Sequence, residues 1–201
     1  RGLKLTETQS PPTWDTNLLA VFLIKDSAAE NVTAKVKSGE TLGEGRYIVA
    51  SVQRAKNSPW NANRCYVDLL YPGVTEKFLE VTLEPYRKHF GKEFGKRIPG
   101  SFTDEPELRP AGGLAWTDDL PEQFKKRWGY DLIESLPSIA AEVGDWKKVR
   151  HNYYQTQLDL FIARWAKPYF DYCAKYNLEF TGHYWEHEWP RCNGVPDNMA
   201  M

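Results

Sequence analysis

The 201-residue chain carries 26 basic and 27 acidic side chains, a formal net charge of −1, and shows no basic stripe or block of like charge. That balance argues against nucleic acid and anionic membrane as partners, and no apolar run reaches the roughly 18 residues of a membrane span. The length suffices for one domain with a real core but falls short of the about 250 residues of a complete (β/α)8 barrel.

Residues 1–17 are polar, contain Ser10-Pro-Pro12 and read as irregular. Leu18-Leu-Ala-Val-Phe-Leu-Ile24 is a buried-strand run and Arg46-Tyr-Ile-Val-Ala-Ser-Val-Gln53 a second. With the turn-rich residues between them they predict a β-rich insertion over residues 18–56. Residues 57–63, Asn-Ser-Pro-Trp-Asn-Ala-Asn, read as a loop. Residues 65–70 read as a short extended segment. Val74, Phe78, Val81 and Phe90 then keep helical spacing, with Pro85 as a kink.

Residues 97–103 predict a strand and residues 106–118 a Pro/Gly-rich loop. Asp119 with Glu122 predicts a capping box, with Gly129 ending that helix, and Asp131 with Glu134 opens another. From Trp146 to Tyr176 an apolar stripe predicts helix, kinked or broken at Pro168. Residues 178–185 form the last strand. Strands alternating with helices predict an α/β fold with parallel strands, and residues 60–201 read as βα units of a partial (β/α)8 TIM-type barrel. A chain that runs from Arg1 to Met201 without completing that barrel is expected to be a piece of a larger protein.

Eight Trp and eleven Tyr are many for this length, and core packing accounts for most of them. Trp116, Trp185 and Trp189 differ in flanking the acidic motifs described next. Cys65, Cys173 and Cys192 show no CxxC spacing, which argues against a disulfide framework.

Glu105 and Glu186 each end an apolar, strand-like run with helix between them. Carboxylates just past parallel strands are how a barrel presents catalytic acids at its C-terminal face. Two opposed carboxylates are what glycosidic cleavage needs, one to protonate the leaving oxygen and one to attack or to activate water. At Asp104-Glu105-Pro106 the proline forces a turn at the loop mouth. Adjacent strand residues point to opposite sides, so at most one of the two acids should face a given pocket. Asp104 is expected to hold the turn through backbone amides.

His183-Tyr-Trp-Glu186-His187 matches the inverted zinc-protease motif HxxEH. That chemistry needs both histidines on one helical face. Phe180, Thr181, Tyr184 and Trp185 favour strand, where the two histidines would stand about 13 Å apart at about 3.3 Å per residue, too far to share zinc. The better reading is a sugar-binding rim. Glu186 or Glu188 supplies the carboxylate, His183 and His187 offer hydrogen bonds, and Trp185 or Trp189 a stacking face. A non-catalytic carbohydrate-binding barrel fragment carrying the same rim is the alternative.

Tyr66-Val-Asp-Leu-Leu70, Ile98-Pro-Gly-Ser-Phe-Thr-Asp-Glu-Pro106, Val149-Arg-His-Asn-Tyr-Tyr154 and Thr181-Gly-His-Tyr-Trp-Glu-His187 together resemble bacterial glycoside hydrolases related to family 106, the α-L-rhamnosidase-like enzymes. The resemblance implies a catalytic (β/α)8 barrel in a large multidomain enzyme acting on plant or microbial glycans, periplasmic or secreted. It implies Glu105 as general acid, Glu186 as its partner with Glu188 second, and Asp104, Trp116, His183, Trp185, His187 and Glu188 around the sugar. No cofactor is evident in the sequence, and the resemblance implies a calcium ion near the sugar hydroxyls in some members.

Overall fold

The structure, a computed structural model, describes residues 1–183. In chain order its elements are β1 (Gly2–Thr8), β2 (Leu18–Lys25), β3 (Ala28–Asn31), α1 (Thr33–Lys37), β4 (Arg46–Gln53), α2 (Val74–Val81), α3 (Leu83–Phe90), β5 (Gly100–Asp104), β6 (Leu114–Ala115), α4 (Leu120–Trp128), α5 (Leu132–Ala140), α6 (Trp146–Phe161), α7 (Lys167–Lys175) and β7 (Glu179–His183). The fold is mixed α/β, and the described residues form no closed barrel. No helix among them is long and apolar enough to cross a membrane. The chain divides into two compact units, Arg1–Tyr66 with Arg109–Thr156, and Val67–Leu108 with Gln157–Met201.

The first unit is built on an antiparallel sheet of order β3-β2-β4-β1-β6. It begins at Gly2, so the β-rich region starts before Leu18 and residues 2–8 are strand, not irregular. Leu3 is fully buried and pairs with Val52 on one side and Leu114 on the other. Local polarity hid this strand, because a sheet accepts Lys4 and Thr6 once a neighbour takes up the backbone hydrogen bonds. The apolar run of β2 is buried on both faces. Val21, Tyr47 and Val49 pack with Val32 and Val36, while the alternate residues Ala20, Phe22, Ile48 and Ala50 are also buried, and α5 packs against β1 and β4.

The capping box expected at Asp119 does not form, as its side chain makes no cap bond. Asp131 does cap its helix, accepting from the Ile133 amide at 2.8 Å. Glu134 instead accepts from Asn31 at 2.6 Å. The Tyr153 hydroxyl donates to the Ala115 carbonyl at 2.6 Å, tying α6 to β6. Trp128 donates to Thr156 at 2.9 Å.

Residues 65–70, where the chain passes from the first unit to the second, form no strand, although Leu69 and Leu70 are buried. The helical run after Val74 is two helices that meet at Thr82, with Pro85 inside the first turn of α3, where its missing N–H costs nothing. Pro168 does not break the long helix. The chain stays helical through a widened π turn over Ile162–Ala166, the adjustment expected where a proline cannot join the ordinary ladder. Pro168 has no N–H for the carbonyl of Arg164 four residues back. The buried Thr75 hydroxyl donates to that oxygen at 2.6 Å.

Phe78, Trp165 and Tyr169 form an aromatic cluster with centroids 5.4–5.7 Å apart. Tyr169 also touches Phe180 at 4.8 Å and shares a 2.6 Å hydrogen bond with Ser101, anchoring β5 and β7 to α7. Burial pushes the Tyr169 hydroxyl above its usual pKa and raises the buried Cys173 thiol to about 11, so Cys173 is an inert core residue.

Glu84 accepts two hydrogen bonds from Arg87, at 2.7 and 2.9 Å, and one from Tyr172 at 2.8 Å. The Arg87 bonds, then the Tyr172 bond, bring its pKa from 4.5 to about 2. A carboxyl whose folded pKa is depressed stabilises the fold above its unfolded pKa and loses that contribution as pH falls through the folded value. Urea titrations of Glu84→Gln against the natural chain should therefore show a stability gap at neutral pH. The gap should begin to close below pH 4.5 and vanish near pH 2. A gap independent of pH would show that the ionised carboxylate is not its source.

Candidate functional site

β5 and β7 are neighbouring parallel strands, in register from Gly100↔Glu179 to Asp104↔His183, as residues 97–103 and 178–185 predicted. The connection is more than one crossover helix, since residues 109–156 belong to the first unit. Close approach of the two backbones depends on Gly182, which has φ +141°. A Cβ there would collide with the Thr103 carbonyl oxygen and lie 2.7 Å from the Thr103 amide nitrogen.

The strand alternation sorts the side chains of β5. Ser101 and the buried Thr103 share one face, and Ser101 meets Tyr169 of α7. Phe102 and Asp104 share the other. Phe102 is 61 % exposed, and its ring lies edge-on to the His183 imidazole at 5.8 Å.

Past Asp104 the alternation breaks. Glu105 has φ +41°, in the left-handed region that a non-glycine residue seldom adopts. Its amide donates to the His183 carbonyl at 3.1 Å, which extends the β5–β7 pairing by one bond and holds that conformation. Both acids consequently converge on one imidazole. Asp104 Oδ1 lies 2.9 Å from His183 Nε2, and Glu105 Oε1 lies 3.8 Å from Nδ1. The expectation that adjacent acids must diverge fails because it assumed regular strand geometry through Glu105. Asp104 ion-pairs with His183 when that ring is protonated, a contact not foreseen for it. The Glu105 side chain is about one-third exposed.

Trp116 is buried at 4 % exposure, so as folded here it packs and presents no free face. Trp185, Glu186, His187, Glu188 and Trp189 lie outside the described residues. His183, the first residue of the zinc-like motif, is the last of strand β7 rather than part of a helix. Phe102 was missed in the sequence, although its position two residues before Asp104 places both on one face.

Asp104 and Glu105 offer the hard oxygen donors that calcium favours. Among the described residues, however, no group of three or more His, Cys, Asp or Glu side chains converges to hold a metal, and calcium takes about 6–8 oxygens.

The family model for glycoside hydrolase family 106, alpha-L-rhamnosidase, matches residues 48–201. The chain belongs to this family. Its match includes the loop of residues 57–63, both strands and both acidic motifs. A solved structure described as a rhamnosidase from Novosphingobium sp. PP1Y superposes with a TM-score of 0.57 at 21 % identity. The alignment covers 90 % of this chain and 19 % of that one, so the chain spans about a fifth of the neighbour's length. At that identity the likeness is one of fold. No curated protein sequence matches the chain.

Proposed function

We propose that this chain supplies one wall of the active site of a glycoside hydrolase that cleaves α-L-rhamnosides, with Glu105 as general acid. The single observation that carries the reading is the cluster of Asp104, Glu105 and His183 at the C-terminal ends of two adjacent parallel strands, in a chain of the rhamnosidase family. Ser101 faces α7 while Phe102 and Asp104 face away from that helix, the side that is interior in a βα barrel. This orientation supports reading β5 and β7 as part of a barrel wall.

In the proposed reaction Glu105 donates its proton to the departing glycosidic oxygen. Its left-handed backbone, pinned to β7, fixes where that proton is presented, and positioning of this kind is a large part of a catalytic group's worth. His183, between Asp104 and Glu105, is a positioning residue. A second carboxylate, from Glu186 or else Glu188, attacks the anomeric carbon or activates water. Trp185, His187 and the remaining acid of that pair complete the sugar contacts.

Full-length enzyme should release L-rhamnose from an aryl α-L-rhamnoside and leave aryl β-D-glucoside and aryl α-D-mannoside essentially uncut. Failure on every glycoside, with sugar binding retained, would favour a carbohydrate-binding role.

A further inference from the structure

Residues 57–64 of the first unit hold one side chain in a way that neither folding nor the proposed active site explains. Trp60 is 94 % exposed, yet its loop is held by several backbone hydrogen bonds. Ser58 and Arg64 bridge through a 3.0 Å bond from the Ser58 amide. The Ser58 carbonyl accepts from the amides of Asn61 at 3.0 Å and Asn63 at 2.9 Å. The Asn61 carbonyl accepts from the Arg64 amide at 3.0 Å, and the Pro59 carbonyl from the Ala62 amide at 3.2 Å. Ser58 Oγ caps the turn at the Trp60 amide, 3.2 Å away. Pro59 restricts the backbone beside the tryptophan, and Ala62 and Asn63 sit in the left-handed region, at φ +53° and +60°.

Fixing a residue's backbone costs about 1–2 kcal/mol, and here that ordering buries no apolar side chain at the tip. The result is an indole held out on a stiff support. In the same loop, the side-chain amides of Asn57, Asn61 and Asn63 make no hydrogen bond among the described residues. An exposed ring in a loop that also carries unengaged amides suits a sugar. The ring takes the C–H face of a pyranose, and the amides donate to and accept from its hydroxyls.

We propose that Trp60 is a stacking platform for a glycan chain, engaging sugars other than the one cleaved. The glycan class rests on the function proposed above; the preorganised, exposed ring does not. Because the loop is stiff, little ordering entropy is lost on binding, which favours affinity.

The test uses the full-length enzyme, Trp60→Ala and Trp60→Phe. Each is run in native gels cast with a rhamnose-bearing pectin, with dextran as control, and each is assayed on an aryl α-L-rhamnoside. Trp60→Ala should weaken pectin retardation about five- to tenfold, and Trp60→Phe should keep most of it, as expected for loss of one aromatic contact. The kcat/KM on the small aryl substrate should be unchanged in both variants. Three results overturn the proposal: no retardation of the unmutated enzyme by pectin, equal retardation of all three proteins, or an equal loss on the aryl substrate. The second is the result if another part of the whole protein covers Trp60. If unmutated enzyme cleaves no rhamnoside, the catalytic proposal fails, while the gel comparison still decides the role of Trp60.

Discussion

Glu105→Gln in the full-length enzyme should cut turnover of an alkyl rhamnoside or rhamnose-containing disaccharide by about 100-fold or more, since a positioned general acid is typically worth about 10²–10⁴. Such leaving groups depart as poor alkoxides unless protonated. A nitrophenyl rhamnoside should suffer far less, because its leaving group needs little protonation. The variant keeps nearly the same volume and keeps the backbone amide that bonds His183, so folding should survive and the loss should read as chemistry. Glu186, outside the described residues, is assigned the opposite behaviour. As nucleophile or base it acts on the sugar, so Glu186→Gln should slow both substrates. Small, equal losses for both variants on both substrates would leave the carbohydrate-binding alternative in front.

Gly182→Ala should destabilise the chain by about 2–6 kcal/mol, the sum expected for a side chain in a disfavoured backbone region and for overpacking against immovable atoms. The new methyl would meet the Thr103 carbonyl and amide, which belong to the backbone of β5 and have no rotamer to yield. Relief requires β5 and β7 to separate, and separation takes Asp104 from His183 and Glu105 from the His183 carbonyl. Chemical denaturation of Gly182→Ala should show a lower midpoint, and its residual activity should fall further than its folded fraction. A midpoint equal to that of the natural chain would mean that the strands are not held this closely.

Parts of this architecture were written plainly in the chain. The apolar runs of β2 and β4, the Asp131 cap and the parallel strands β5 and β7 each carry a local signal, and local signals survive into the fold. Strand β1 was not legible, because its identity comes from pairing with β4 and β6 rather than from its own polar residues. Pro168 was read as an interruption. The sequence around it says nothing of Thr75, more than eighty positions away in the chain, whose hydroxyl serves the carbonyl that the proline leaves. The acidic turn was legible as chemistry but not as geometry. Asp-Glu-Pro announces a turn, whereas the convergence of both acids on His183 depends on one left-handed residue pinned by a bond across to β7. Trp60 looked like any loop residue, and its exposure together with the backbone bonds around it sets it apart.

As general acid, Glu105 must stand over the bond that breaks. A crystal structure of the full-length enzyme with L-rhamnose bound tests this most directly. It should place the Glu105 carboxylate within hydrogen-bonding reach of the anomeric oxygen, with a second carboxylate, from Glu186 or Glu188, on the opposite face of the ring. A separation of about 5–5.5 Å between them would specify retention and about 6.5–9.5 Å inversion. A sugar seated away from the ends of β5 and β7, or a Glu105 carboxylate turned from the anomeric carbon, would contradict it.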